Sequence, residues 1–310
     1  MNKMIYPITE KSLSEQHQRP IQSPVYVSNL AEIGIEQKVF LDYFSPLFQE
    51  LPWDYYDPRR MQILLLQKCL PHAARAIQTQ FRAYFTGDIG QEVLQPWIEQ
   101  LSDEQRAAFD RIQPWRRRSV ARFELSQSND RIDLLRTPVP QFVQDLEEED
   151  YRSWPRHFIE APSHHVEQEL FYDWLKRIFQ LPPLKERGVR KLGITVHFMS
   201  VQAKHGKPGD NSPEGAHEDG ADFIVSALVI NRTNIRGGES QIIEQLDSGQ
   251  RVSLFKRKLQ AGEFIFQADT GEEKIYGNDL WHHVTPFYLR DQAAGEAWRD
   301  IIGLDINIIE

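Results

Sequence analysis

The sequence has very little cysteine, no dense positive charge and no long apolar run. Its 310 residues include one cysteine, Cys69, so an internal disulfide is impossible and nothing indicates an oxidising compartment. Lys and Arg total 36 against 45 Asp and Glu, which gives a formal net charge of −9. Binding to nucleic-acid phosphates relies on clustered Lys and Arg, and the run Arg116–Arg118 is too short to supply them. We therefore expect no nucleic-acid partner.

Membrane-spanning and secretory segments are missing as well. No stretch approaches the roughly 18 apolar residues that a spanning helix needs, and the N-terminal region lacks the apolar segment of a secretory signal. We therefore expect a soluble cytoplasmic protein without a membrane partner. The hydrophobic share of 40% suffices for a buried core, and the length fits a catalytic barrel of roughly 200 residues with a helical flank. The oligomeric state stays open.

Helices are predicted mainly in the first part of the chain. Residues 36–50 carry apolar side chains at helical spacing, and residues 59–112 also read as mostly helical, with a capping box at Ser102–Gln105. Residues 165–180 have the clearest amphipathic pattern, which Pro182-Pro183 should stop. The apolar stripe of that helix predicts packing against a sheet.

Strands dominate the second half. Residues 116–125 alternate between apolar and polar side chains, which predicts a strand, whereas the acidic stretch Glu147–Asp150 predicts a solvated loop. From Leu192 onwards the chain reads as short strands separated by turns. Short strands at regular spacing favour a β-sandwich or a jelly roll.

A candidate metal-binding pattern begins at His217-Glu218-Asp219 and continues at His282-His283. Two imidazoles and one carboxylate form the ligand set of non-haem iron(II) oxygenases. Side chains two residues apart in an extended chain point to the same side, roughly 6.5–7 Å apart, so one ion can bridge His217 and Asp219. Adjacent strand residues face opposite sides, so only one of His282 and His283 can join them, and spacing alone does not choose. A structural zinc site would usually have four protein ligands, often cysteines.

Four sequence blocks then carry a resemblance. They are PEGAHEDG at residues 213–220, GGES at 237–240, HHVTP at 282–286 and the pair Arg299-Asp300. In this order they resemble the bacterial 2-oxoglutarate/iron(II) dioxygenases that hydroxylate free amino acids, the isoleucine 4-hydroxylase and pipecolic acid 3-hydroxylase group. The similarity is close over residues 192–310 and weaker upstream.

The resemblance implies a fold and a division of the chain. The fold would be a double-stranded β-helix (a cupin-like jelly roll), mainly β, with N-terminal helices. We accordingly expect a helical flanking region over residues 1–115 and a catalytic core over residues 116–310, which includes the helix 165–180.

The resemblance also implies the ligands and cofactors. The family pattern His-x-Val-Thr-Pro selects His282, so the iron(II) ligands would be His217, Asp219 and His282. Arg299 would bind the far carboxylate of 2-oxoglutarate, because a guanidinium matches a carboxylate with two parallel hydrogen bonds. Thr285 would support it with its hydroxyl. The cofactors would be iron(II), 2-oxoglutarate as co-substrate and dioxygen, with ascorbate as the reductant in vitro. The alternative for Arg299 is a structural ion pair with Asp300 or another acid.

Three further residues are weaker candidates for contacts with the substrate. A free amino acid presents an ammonium and a carboxylate, and burying either charge requires a partner. Glu214, Asp222 and Arg122 could supply such partners, although each could equally be an ordinary loop or surface charge.

The expected reaction is hydroxylation of an unactivated C–H bond of a free L-amino acid, with release of succinate and carbon dioxide. Pipecolate, proline or an aliphatic amino acid is favoured by the named relatives. Two alternatives stay open: an oxygenase acting on a peptide or carrier-bound residue, and a non-catalytic metal-binding jelly-roll protein.

Overall fold

The computed structural model of the protein describes residues 24–72, 74–129, 131–142, 153–246, 248–271 and 275–310. The predicted loop at Glu147–Asp150 lies outside them. The described residues form two compact units. Unit 1 takes those of Met1–Leu51, Arg118–Val139 and Glu160–Glu310, and unit 2 those of Pro52–Arg117 and Pro140–Ile159. The division predicted at residue 115 stays a prediction, and the two units do not follow its boundary.

Five of the described helices precede residue 111, and strands predominate from residue 191 onwards. The helices are α1 (Gln37–Phe44), α2 (Tyr56–Cys69), α3 (Ala74–Thr86), α4 (Gln95–Ile98), α5 (Asp103–Asp110), α6 (Ser163–Val166), α7 (Glu169–Phe179) and α8 (Pro182–Lys185). The strands are β1 (Val25–Asn29), β2 (Arg116–Ser128), β3 (Arg131–Thr137), β4 (Lys191–Lys204), β5 (Phe223–Thr233), β6 (Ile235–Gly237), β7 (Ser240–Gln245), β8 (Arg251–Arg257), β9 (Glu263–Ala268), β10 (Asp279–Val284), β11 (Phe287–Leu289) and β12 (Glu296–Ile308). Short 3-10 turns lie at Ser45–Gln49, Gln91–Leu94 and Gln292–Ala294. None of the helices in the described part of the chain has the length and apolarity to cross a membrane.

Three sheets are formed by the described residues. The larger one has the strand order β1-β9-β5-β12-β4-β2-β3, and the smaller ones have the orders β10-β7-β8 and β11-β6. β12 lies at the centre of the larger sheet and pairs antiparallel with β4 along its whole length. Its pairing with β5 is also antiparallel but contains two register shifts. The predicted mainly β, antiparallel class is therefore confirmed.

One face of the larger sheet packs on helices of unit 1. We call it the helix face, and at its centre β4 and β12 place apolar side chains directly opposite one another. The ring of Phe198 lies 5.8 Å from that of Phe171 in α7 and 6.1 Å from that of Phe48. Trp174 of α7 is fully buried in the same core. The central side chains of the helix face are Ile194, Val196, Phe198, Ile302, Leu304 and Ile306.

The other face alternates with the helix face along the same strands, because successive side chains of a strand point to opposite sides. We call it the inner face. It is formed at its centre by Thr195, His197, Met199 and Val201 of β4 and by Arg299, Ile301, Gly303 and Asp305 of β12. Its centre carries the ionisable side chains of His197 and Arg299, whereas the centre of the helix face is apolar.

The helix predicted over residues 165–180 is two helices, so this part of the expectation is wrong. α6 ends before Glu167, and α7 begins after Gln168, whose φ of −120° and ψ of 138° are extended. The Glu167 carboxylate is held at this break by Ser163 at 2.8 Å and by Arg136 of β3 at 2.6 Å. Pro182 also begins α8 instead of only stopping a helix, since proline is tolerated at the first helical position.

Unit 2 is helical around its own apolar core. Leu66 of α2, Phe81 and Phe85 of α3, and Phe109 of α5 are fully buried there. The capping box is present: Gln105 N–H donates to Ser102 Oγ, and Ser102 N–H donates to Gln105 Oε1.

Candidate active site

Two histidines that are far apart in the sequence meet through their backbones. His217 N–H donates to His282 O at 3.1 Å, and His282 N–H donates to His217 O at 2.9 Å. Residues that oppose each other directly in an antiparallel pair project their side chains to the same side. The two imidazole centroids accordingly lie 4.2 Å apart. β10 carries His282 and is anchored by its pairing with β7.

Asp219 completes the cluster. Its Oδ1 lies 3.6 Å from His217 Nε2, and its Oδ2 lies 3.3 Å from His282 Nε2. The candidate ligand atoms of the three residues lie within 4.8 Å of one another. His283 is not part of this cluster. The geometry therefore groups His282 with His217 and Asp219, and its role as a metal ligand stays a prediction.

The two imidazoles differ in their surroundings. His217 Nδ1–H donates to Gly215 O at 2.9 Å, which turns Nε2 toward Asp219. Burial, and secondly the neighbouring His217, lower the pKa of His282 to about 3, so that ring is neutral near pH 7. Burial also lowers the pKa of His217, but the charges of Glu214 and Asp219 raise it overall. A metal would replace the proton on that ring, since ligating imidazoles bind in the neutral form.

Asp269 holds the loop that presents Asp219. The backbone N–H groups of Asp219, Gly220 and Ala221 donate to Asp269 Oδ2 at 3.0, 2.7 and 3.1 Å. Gly220 has φ +82°, a conformation that glycine adopts readily, and it lets the three N–H groups converge. Burial and the charge of Asp219 raise the pKa of Asp269 to about 7, against the three hydrogen bonds. Sequence reasoning missed this residue; its one signal is an acid directly after the predicted strand EFIFQA.

Arg299 of the inner face is fully buried, with 0% of its surface exposed. Its Nε, Nη1 and Nη2 have no hydrogen-bond partner among the described residues. Burial, and then the nearby charge of Arg232, lower the pKa of Arg299 to about 9. The alternative partner, Asp300, instead accepts from Ser200 Oγ at 2.5 Å and from Asn231 Nδ2 at 3.2 Å. A buried guanidinium without partners fits a site for an anion, since unpaired buried charges are otherwise costly.

The donor set fits the group that the sequence pattern implies. Two imidazoles that present Nε2 and one carboxylate match the facial ligand set of iron(II). The unpaired guanidinium of Arg299 matches the carboxylate of a chelating co-substrate.

Glu214 lies at this cluster, and Thr285 follows β10, three residues after His282. Glu214 Oε1 is 3.2 Å from His217 Nε2, so the structure brings this predicted substrate residue to the site. The Thr285 hydroxyl accepts a hydrogen bond from Glu239 N–H at 2.9 Å and so fixes the turn before β7. Its contact with a co-substrate stays a prediction.

Asp222 and Arg122 occupy the larger sheet. Asp222 is buried, and its Oδ2 accepts from Ile308 N–H at 2.8 Å, which ties the start of β5 to the end of β12. This supports a structural role. Arg122 of β2 lies beside Gly193, where its Nη2 is 3.9 Å from the position of an added Cβ. Substrate contacts of both residues stay predictions.

The fold and the donor set together are those of a jelly-roll iron oxygenase. Comparison with known proteins leads to the same class. The sequence model of the family described as 2OG-Fe dioxygenase matches residues 97–305. The chain belongs to this family, whose members are oxygenases that use iron(II), 2-oxoglutarate and dioxygen. The predicted cofactors are thereby confirmed. No curated protein matches the sequence.

Two solved structures are similar over nearly the whole chain. One is IDO from Bacillus thuringiensis, with a TM-score of 0.56, 14% identity, and coverage of 99% of this chain and 100% of that one. The other is a bsmA homolog from Methylobium petroleophilum PM1, with a TM-score of 0.61, 18% identity, and coverage of 97% and 95%. Both similarities concern the fold, and the predicted jelly roll is confirmed.

Proposed function

We propose that the protein hydroxylates an unactivated C–H bond of a free L-amino acid, with pipecolate, proline or an aliphatic amino acid favoured. The balance would be R–H plus 2-oxoglutarate plus dioxygen to R–OH plus succinate plus carbon dioxide. The observation that carries the proposal is the combination of the His217, Asp219 and His282 cluster with the unpaired, buried Arg299. The PEGAHEDG block supports the amino-acid branch of the family.

The cluster would hold iron(II) through His217 Nε2, His282 Nε2 and the Asp219 carboxylate. Three protein ligands leave positions for the co-substrate and dioxygen, and the bound metal supplies oxygen activation coupled to decarboxylation of 2-oxoglutarate. Because Asp219 is a carboxylate, it fills the position that a halide would need, which favours hydroxylation over halogenation.

The remaining residues would bind 2-oxoglutarate and orient the metal ligands. Arg299 would pair with the far carboxylate of 2-oxoglutarate, and Thr285 would add its hydroxyl. The Gly215 carbonyl keeps the His217 ring in one tautomer, and Asp269 holds the backbone that carries Asp219. Such supports for metal ligands commonly matter as much for affinity as the ligand geometry itself.

The test is anaerobic reconstitution with iron(II), 2-oxoglutarate and ascorbate, together with a panel of free L-amino acids. Air is then admitted, and succinate and the amino acids are followed by mass spectrometry. We expect one amino acid to gain a single oxygen atom in step with succinate release. Oxygen gain only on a peptide or a carrier-bound residue would overturn the substrate class but not the metal chemistry. Iron binding without succinate release under any condition would favour a non-catalytic protein.

A further inference from the structure

A second polar cluster lies on the inner face, and its residues are not among those assigned to the proposed chemistry. His197 of β4 is 5% exposed and lies between a cation and an anion. Its Nδ1 is 2.8 Å from Arg118 Nη2, and its Nε2 is 2.8 Å from Asp305 Oδ2. β4 and β12 place Gly303 directly opposite His197, so no side chain there separates the imidazole from Asp305, two residues along β12.

The donors and acceptors of this cluster fix the direction of its hydrogen bonds. A guanidinium can only donate, so Arg118 donates to His197 Nδ1, which must be unprotonated. The ring proton therefore lies on Nε2 and is donated to Asp305 Oδ2. The chain Arg118, His197, Asp305 is thus oriented one way, and it holds the Asp305 carboxylate in place. Asp305 Oδ1 makes no hydrogen bond to the described residues, and 23% of the side chain is exposed.

The cluster lies beside the candidate metal ligands. Ile306, next to Asp305, pairs with Phe223 at the start of β5, and the loop that carries His217 and Asp219 leads into that residue. Asp305 and Arg299 lie on the same face of β12.

We propose that Asp305 binds the ammonium group of the substrate, with His197 and Arg118 as the positioning residues that hold its carboxylate. This inference rests on the proposed function and assigns the residue that recognises the free amine of the substrate. An ammonium has only donors and a carboxylate has only acceptors, so the open Oδ1 is a complementary partner. Glu214 is less suited, since its nearest partner is His217 Nε2, the atom that would bind the metal.

The first experiment measures substrate binding separately from turnover. The iron(II)- and 2-oxoglutarate-loaded protein is titrated anaerobically by calorimetry with the amino acid that the panel selects. Its N-acetyl derivative and its 2-hydroxy analogue, which lack the ammonium, are titrated in parallel. We expect the wild type to prefer the free amino acid over both. In Asp305→Asn, affinity for the free amino acid should fall about 10- to 100-fold, and the preference should disappear.

Two variants and one control distinguish a positioning role of His197 from a purely structural one. His197→Phe removes both hydrogen bonds and should raise the KM for the amino acid without changing the binding of 2-oxoglutarate. His197→Gln restores a donor toward Asp305 and should recover part of the loss. Asp133→Asn removes a half-exposed carboxylate on β3. It should leave the binding of the free amino acid, its N-acetyl derivative and its 2-hydroxy analogue unchanged.

The outcomes distinguish the two proposals. If the wild type oxygenates a free amino acid but Asp305→Asn keeps both affinity and preference, the assignment of Asp305 is overturned and the proposed function stands. If the wild type binds no free amino acid, both are overturned. Should Asp305→Asn not fold, an unchanged KM in His197→Phe, or equal binding of the 2-hydroxy analogue by the wild type, overturns the assignment.

Discussion

The two faces of the β4–β12 pair are built from alternate residues of the same strands, yet their centres differ in chemistry. The helix face buries Phe198 and Leu304 among aromatic side chains of unit 1. The inner face buries Arg299 and His197, and Arg299 has no hydrogen-bond partner among the described residues. Burial of apolar surface explains the first face. It cannot explain the second, because an unpaired buried charge opposes folding. We therefore expect the inner face to be shaped by the ligands that it binds.

The largest expected effect concerns the metal cluster. His217→Ala, Asp219→Ala and His282→Ala should each remove iron(II) binding and turnover while circular dichroism stays native, because each deletes one of three donors. Equilibrium dialysis under anaerobic conditions gives the iron content per chain.

The chain offers two controls for that prediction. His283→Ala should hurt much less. His164→Ala alters another group of two histidines and one carboxylate, formed by Glu50, His164 and His165, in which Glu50 and His164 are exposed. This variant should leave turnover unchanged. Loss of iron in His283→Ala but not in His282→Ala would show that the ligand assignment is wrong.

Breaking the helix face should affect stability instead of chemistry. Phe198 is 1% exposed, and Phe198→Ala should lower the free energy of unfolding by about 3–5 kcal/mol, from lost burial and the remaining cavity. The neighbouring Met199 is half-buried on the inner face, so Met199→Ala is the matched control and should cost less. Urea unfolding and the iron content of the folded fraction are measured together. Intact stability with lost iron in Phe198→Ala would contradict the division between the faces.

A smaller effect is expected at the support of the metal loop. Asp269→Ala removes the acceptor of three backbone N–H groups and should weaken iron(II) binding about 10- to 100-fold, the usual range for residues that orient metal ligands. Asp269→Asn keeps one oxygen acceptor and should lose less. An iron dissociation constant unchanged in Asp269→Ala would show that the loop keeps its shape without this carboxylate.

Much of the strand pattern and of the metal cluster could be predicted from local sequence. The residues that support the site, such as Asp269 and His197, could not. β9 coincides with the predicted EFIFQA strand, and His217 and Asp219 point to one site. Spacing could not choose His282 over His283, because alternation shows only that they differ in direction. The choice depends on the backbone pairing of His217 with His282, a long-range contact.

The contacts of these supporting residues depend on tertiary geometry that no short sequence pattern encodes. Asp269 acts on a loop about fifty residues earlier only because three N–H groups converge there. The contact of His197 with Asp305 requires the register of β4 against β12. At the break between α6 and α7, Arg136 of β3 contacts Glu167. Each is a tertiary contact that overrides or escapes local preference.

The central claim, that the inner face is organised around bound ligands, is tested most directly by Arg299→Met. Calorimetry measures 2-oxoglutarate binding to the iron(II)-loaded protein without oxygen, and urea unfolding measures stability. We predict that the free energy of unfolding stays equal or rises, while the binding free energy of 2-oxoglutarate weakens by about 3–5 kcal/mol, which is about two to four decades in affinity. Arg299→Lys should recover only part, because an ammonium lacks the planar fork of a guanidinium. A strongly destabilised Arg299→Met that still binds 2-oxoglutarate with wild-type affinity would contradict the claim.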